Sequence, residues 1–219
     1  MAGSIWSSPL KKIKDFPFQN FVNFFKNHGL LSLTNRPQWR TVLNGSKNYV
    51  NKIIETSNIE VKLSERAINI SRKNKEITLK TDKKEYKFDH IILASHPDQN
   101  INILSDITDF EYKYLSKIKY QKNTAWLHYD DSLMPKNKKV WSSWNYINAN
   151  NDEEANNLSV TYWMNKLQKI NTKDQIFVSL NPLREPSKNK VFKKIIYSHP
   201  LYSKETVMGQ NGLVKIQGK

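Results

Sequence analysis

Five histidines, at positions 28, 90, 96, 128 and 199, have the widest chemical reach of any side chains in this sequence. Their spacing does not suit a metal. None lies four residues from another and no H-E-x-x-H occurs, so no helix can present a ligand pair on one face. The chain has no cysteine, which excludes disulfide scaffolds, thiolate metal sites and cysteine nucleophiles. A serine hydrolase would carry its nucleophile in a G-x-S-x-G turn, and none is present. A phosphate-binding turn needs glycines in close succession so that the backbone can wrap the anion. The six glycines are scattered and form neither a G-x-G-x-x-G nor a P-loop. The histidines are therefore read as structural or surface residues. No metal is expected, and no acid–base residue can be named.

The charge balance is strongly basic, +15 from 35 Lys and Arg against 20 Asp and Glu. A nucleic-acid or anionic-membrane partner would gather such charge into a stripe. Here it is dispersed. Lys11, Lys12 and Lys14 form the densest cluster, and no run of five basic residues occurs. The reading is a solvated basic surface with no nucleic-acid partner, and a basic binding module is kept as a distant alternative. No apolar run is long enough for a transmembrane segment, while peripheral membrane contact stays open. Met1 to Phe18 alternates Lys and Pro with aromatics and has no secretion h-region, so the default location is cytoplasmic. A hydrophobic content of 38% in 219 residues suits a soluble chain of one large or two small domains.

The elements that would position any site follow from periodicity. Ser8-Pro9 opens a helical stretch, and Phe18, Phe21, Val22 and Phe25 recur at i, i+3, i+4 and i+7 as one face of a second helix ending near Gly29. An extended segment, Arg36 to Val42, runs into a turn at Asn44-Gly45. Ser46 then caps a helix whose apolar face is Tyr49, Val50, Ile53 and Ile54. The period changes to two after Ser57-Asn58. Ile59–Leu63, Ala67–Ser71, Ile77–Thr81 and Tyr86–Phe88 read as a meander. Asp89–Ala94 reads as an apolar strand covered on both faces. Helices are expected over Asp98–Leu104 and Asp109–Ile118. Strands follow over Ala125–Tyr129, Val140–Ile147, Leu158–Met164, Ile176–Leu180 and Val191–Ile196, with a polar connection at Asn150–Asn157 and a last helix at Lys204–Val214. Four tryptophans, 126, 141, 144 and 163, fall in the strands, and antiparallel pairing with the aromatics on a common side is the simplest arrangement.

The order of features carries more than any one motif: P-Q-W-R-T-V, then N-G-S and a helix, then the meander, then D-H-I-I-L-A-S-H-P. Val140 to Tyr146 (V-W-S-S-W-N-Y), Asn181-Pro182-Leu183-Arg184 and Tyr197-Ser198-His199-Pro200 continue it. This series resembles the middle of the flavin-containing amine oxidase superfamily, in the branch of predicted NAD/FAD-binding amine-oxidase-like proteins. Family members carry W-x-T-V-x-G-G-S, a meander and D-x-V-I-x-A-x-P in this order. They also have a dinucleotide-binding unit before this region and a glycine-rich FAD segment after it. Neither occurs here, and Met1 to Ser7 resembles an interior segment, so the chain reads as a fragment. Asn44 stands where the family has the first glycine of its pair.

The resemblance implies an α+β fold. It comprises a substrate-binding domain, a mixed and largely antiparallel sheet flanked by helices over 1–44 and 99–203, and a partial FAD-domain meander over 45–98. The terminal helix at 204–219 would lead back toward the FAD segment. It implies FAD as cofactor, with only part of its site present: Ala67 against the adenine, and Ala94, Ser95, His96 and Pro97 near the cofactor at a strand end. Asn48 and Tyr49 would line the substrate cavity. Trp39, Trp141 and Trp144 would either wall it or fill the core. The implied reaction oxidises a C–N or C–C bond of a small or lipid-like substrate by hydride transfer to flavin. A companion chain would supply the FAD-binding unit that is not here. A non-catalytic remnant, or one half of a split flavoprotein, is the alternative.

Overall fold

Pro17 leads into α1 (Phe18–Asn27), the first helix among the described residues, in the computed structural model, which describes residues 15–73, 76–147 and 159–218. Its fixed φ of −59° suits the residue that enters a helix, and Lys26 sits in the last turn, where the helix dipole favours a cation. The expected helix at Ser8-Pro9 lies outside the described residues. Asn44 and Gly45, at φ +62° and +89°, make the expected turn into α2 (Lys47–Thr56). Ser46 holds the cap position, but its hydroxyl makes no capping bond because its backbone is already helical. Neither helix buries a residue, and Tyr49, Val50, Ile53 and Ile54 stay exposed along one face of α2.

The chain divides into two discontinuous units. One takes the residues up to Ser57 with Tyr120–Ser203, and the other takes Asn58–Lys119 with the chain from Lys204 on.

In the second unit, β1 (Ala67–Lys73), β2 (Glu76–Thr81) and β3 (Glu85–Phe88) form the expected antiparallel meander in the order β1-β2-β3. Alternation sends Ile70, Ile77 and Leu79 to one core, where they meet Leu104 and Leu115 from the helical segments. These segments are α3 (Pro97–Ile103), opened by Pro97 as expected, and α4 (Asp109–Leu115). A capping box starts α4: Thr108 accepts from the Glu111 amide, and Glu111 accepts from that of Thr108. Arg72 clamps the unit. Its Nε donates to Asp106 Oδ1 at 3.0 Å and its Nη2 to Glu111 Oε2 at 2.9 Å. The Arg72 hydrogen bond holds the Glu111 carboxyl down at about 2, and the same bond raises the guanidinium.

Two expected strands do not form. Ile59–Leu63 and Asp89–Ala94 are extended, yet no ladder of hydrogen bonds joins either to a neighbour among the described residues. Strand patterning makes a strand only where another chain segment takes the backbone groups. Ile91 and Leu93 still pack on the Ile70 core, while Ile92 between them is 91% exposed. The alternation is present without the pairing.

The first unit is built on β4 (Tyr120–His128), β5 (Trp144–Ile147), β6 (Ser159–Trp163), β7 (Phe177–Leu180) and β8 (Val191–Pro200), in the order β5-β6-β7-β4-β8. A short helix, α5 (Met164–Gln168), follows β6. Every pairing is antiparallel, so the sheet is not mixed. The register lines up residues across all five strands. Trp144, Tyr162, Val178, Leu127 and Lys193 form one row, and Tyr146, Val160, Leu180, Ala125 and Ile195 the next, on the same face. Asn145, Thr161, Ser179, Trp126 and Lys194 make a row on the opposite face. The tryptophans therefore do not share one side: Trp144 faces away from Trp126 and Trp163, because strand period two separates odd from even positions. The strand expected from Val140 starts only at Trp144, since Lys138–Val140 is a tight helical turn. The connection at Asn150–Asn157 lies outside the described residues.

The last helix, α6 (Lys204–Leu213), packs within the second unit against α4. A Cβ on Gly212 would overlap the Tyr114 ring, which occupies the space any side chain would need.

Candidate functional site

The sequence-implied cofactor residues all lie in the second unit. Ala67 opens β1, half-buried and paired with Thr81, and the register slips by one residue between Ala67 and Asn69. Such a bulge leaves backbone groups outside the ladder. Ala94 to Pro97 lead into α3. Ser95 donates its hydroxyl hydrogen bond to Asn100, whose side chain, buried in α3, returns a bond to the Ser95 carbonyl at 3.4 Å. His96 stands at the cap position without a side-chain cap bond, and Ala94 and Ser95 are exposed. Ala67 and the 94–97 turn are thus held by one apolar core, through Ile70 and Leu93.

The substrate-side candidates lie in the first unit and separate into four places. Trp39 is 62% exposed and stacks on His28 with ring centroids 6.0 Å apart. Asn48 donates from Nδ2 to the Leu43 carbonyl at 2.9 Å, tying α2 to the turn before it, and Tyr49 is exposed on α2. Nothing lies within 4 Å of a Cβ built on Gly45, so this turn needs glycine for its positive φ and cradles no neighbour. Trp141 is a core residue, 7% exposed. It meets Trp163 and Phe177 edge-on, and its indole N–H donates to the Pro135 carbonyl at 2.8 Å. Trp144 lies on the far face of the sheet, 46% exposed, edge-on to Tyr162 at 5.6 Å.

The structure also builds two polar networks that the sequence reading did not single out. His128, Ser179 and Thr161 face the same side of the sheet and are fully buried. His128 Nε2 lies 2.8 Å from Ser179 Oγ, and Ser179 Oγ lies 2.7 Å from Thr161 Oγ1. The Asp130 amide donates to His128 Nδ1 at 3.1 Å. With Nδ1 an acceptor, the proton is on Nε2 and the imidazole is neutral. Burial pushes His128 down to about 4, against the pull of Asp130. The Asp130 carboxylate is itself buried, which would raise it. Bonds from Ser132 Oγ at 2.6 Å and the Ser187 amide at 2.9 Å outweigh that and hold it well below the usual carboxylate range. The cluster has the residue types of a hydrolase triad and none of its access, so it serves the fold. Its sequence signal was slight: polar Ser159 and Thr161 alternate in β6, but β7 contributes only Ser179 and the end of β4 only His128.

The second network joins the N-P-L-R and Y-S-H-P motifs through Asn123. Asn181 Nδ2 donates to Asn123 Oδ1 at 2.6 Å, and Asn123 Nδ2 is 2.9 Å from His199 Nδ1. Asn181, at φ +44°, also exchanges bonds with both backbone groups of Thr124. Among the described residues, no three His, Asp or Glu side chains converge as a metal site would require.

No protein-family model matches the sequence, and no curated protein matches it by sequence. The structure does have relatives in fold. It is similar to a CLA-producing fatty acid isomerase from P. acnes, at 15% identity and a TM-score of 0.54, over 80% of this chain and 45% of that one. It is similar also to a protein described as a protoporphyrinogen oxidase from Exiguobacterium sp. 255-15, at 13% identity and a TM-score of 0.59, over 92% of this chain and 51% of that one. At these identities what is shared is the fold. This chain has the α+β architecture of part of such enzymes and spans about half the length of each.

Proposed function

We propose that this chain is the substrate-side and adenine-side part of an FAD-dependent oxidoreductase of amine-oxidase type. One coincidence carries the reading: the ordered motif series and the likeness in fold to two enzymes run over the same stretch, most of the chain. The residues present fit FAD only in part. The bulged strand at Ala67 and the turn at Ala94 to Pro97 suit the adenine end and the approach to the flavin. The pyrophosphate needs several backbone N–H groups at a glycine turn, and this sequence has no such turn. Polypeptide carrying a G-x-G-x-x-G unit, in the same chain or a companion, would complete the site.

FAD, where a complete assembly holds it, supplies the hydride acceptor. The part of this chain is to hold the substrate. Its exposed aromatic side chains, Trp39, Tyr49 and Trp144, suit an apolar substrate with a C–N or C–C bond to be oxidised, small or lipid-like. A non-catalytic remnant, or half of a split flavoprotein, is the second reading. Co-expression with a polypeptide bearing the dinucleotide unit of such an oxidase tests both. A yellow complex that reduces its flavin on substrate addition supports the enzyme, a yellow but inert complex the remnant. A colourless pair with no association contradicts both.

A further inference from the structure

The five-stranded sheet presents an ordered row that the motif series does not explain. Trp144, Tyr162, Val178, Leu127 and Lys193 lie in register, one from each strand, on one face. Four inter-strand steps of about 4.8 Å separate the ends, so the row is about 19 Å long. No member of it is buried: Trp144 and Lys193 are exposed at the two rims, and the three between are partly covered. The adjacent row differs, because two of its members, Val160 and Ala125, are buried. The accessible row therefore runs from an aromatic pair, Trp144 edge-on to Tyr162, across two aliphatic side chains to one ammonium group. That order of chemistries is complementary to an extended amphiphile with an apolar tail and a single negative charge at its end.

We propose that this row is the floor of a binding site for a long-chain acyl carboxylate, with Lys193 meeting the carboxylate and Trp144 and Tyr162 the tail. The proposal rests on the apolar-substrate reading above and names its substrate class. Lys194 provides an internal control. It follows Lys193 directly but points to the opposite face, where its Nζ lies 4.3 Å from the centroid of the Trp126 ring and 3.1 Å from Glu185. A ligand drawn only by the basic charge of the protein would not distinguish the two.

The test is equilibrium dialysis of the 219-residue chain with oleate below its micellar concentration, and with oleyl alcohol. Lys193→Gln is expected to weaken oleate about tenfold, the worth of one charge-assisted hydrogen bond, and to leave oleyl alcohol unchanged. Lys194→Gln should leave both unchanged, and Trp144→Ala should weaken both. Circular dichroism confirms that each variant is folded. Equal effects of the two lysine variants, indifference to Trp144→Ala, or no saturable oleate binding by the folded chain would each overturn the proposal. Oleate failing while the co-expressed complex is yellow rejects this row alone. Oleate binding by the chain, beside a co-expressed pair that neither associates nor turns yellow, rejects the flavin reading alone.

Discussion

His128 and Ser179 meet side chain to side chain across adjacent strands, Nε2 to Oγ at 2.8 Å, in a part of the sheet that water does not reach. The Asp130 amide already occupies Nδ1, so a second proton on this ring must break that bond as well as enter a buried site. Folding therefore selects the neutral ring.

The pH dependence follows from that. His128 is lowered from an ordinary 6.5 to about 4 in the fold, so the unfolded chain binds its proton first as pH falls. The stabilisation from the neutral ring is complete above about pH 6.5 and is lost progressively between pH 6.5 and 4, by roughly 1.4 kcal/mol per unit at most. Urea unfolding followed by tryptophan fluorescence reads this directly. All the tryptophans lie outside 58–119 and 204–219, so the signal reports the first unit. His128→Gln should flatten the slope in that window, and an unchanged slope would show that His128 is not its source.

Arg72 should matter more than a surface cation. Its removal leaves Asp106 and the buried Glu111 without their partner, and Arg72→Met is expected to cost the second unit about 1–3 kcal/mol. Arg72→Lys should recover little, because one ammonium cannot reproduce the forked geometry. Far-ultraviolet circular dichroism against urea measures both, and full recovery by lysine would contradict the bidentate role.

Gly212→Ala should destabilise the α4–α6 packing by about 1–3 kcal/mol, since the new methyl overlaps the Tyr114 ring. Tyr114→Ala placed in the Gly212→Ala background should relieve the overlap, giving a favourable coupling in a double-mutant cycle. Strict additivity would show that the two positions do not touch.

Helix faces and meander strands were legible in the sequence because their apolar periods are local properties. Phe18 to Phe25, Tyr49 to Ile54 and Ile70 to Leu79 each declare a face by spacing alone. What failed depended on partners. Asp89–Ala94 has a strand's composition and, among the described residues, no neighbour that pairs with it. Ser46 has a cap's side chain on a backbone already helical. Trp141 and Trp144 sit three residues apart, and only the tight turn at Lys138–Val140 and the start of β5 send one into the core and the other to the opposite face. The polar pairs His128–Ser179 and Asn123–His199 join residues 51 and 76 positions apart, which no local pattern encodes.

The basic charge is expected to be a solvated surface. Fluorescence titration with duplex and single-stranded DNA at physiological salt should show no saturable binding. Tight binding that survives added salt would indicate a built site in place of scattered lysines.

The most direct measurement on the central claim is an FAD titration of the 219-residue chain alone, followed by gel filtration. Several charge-assisted bonds to the pyrophosphate, at about 1.5–3 kcal/mol each, would be absent, and each 1.4 kcal/mol is about tenfold in affinity. The expected result is weak, saturable binding that AMP competes for and FMN does not, with the flavin lost on the column. Stoichiometric FAD retained through gel filtration would show that no glycine turn is needed. Binding indifferent to AMP would show that Ala67 and the 94–97 turn are not the adenine side of a flavin site.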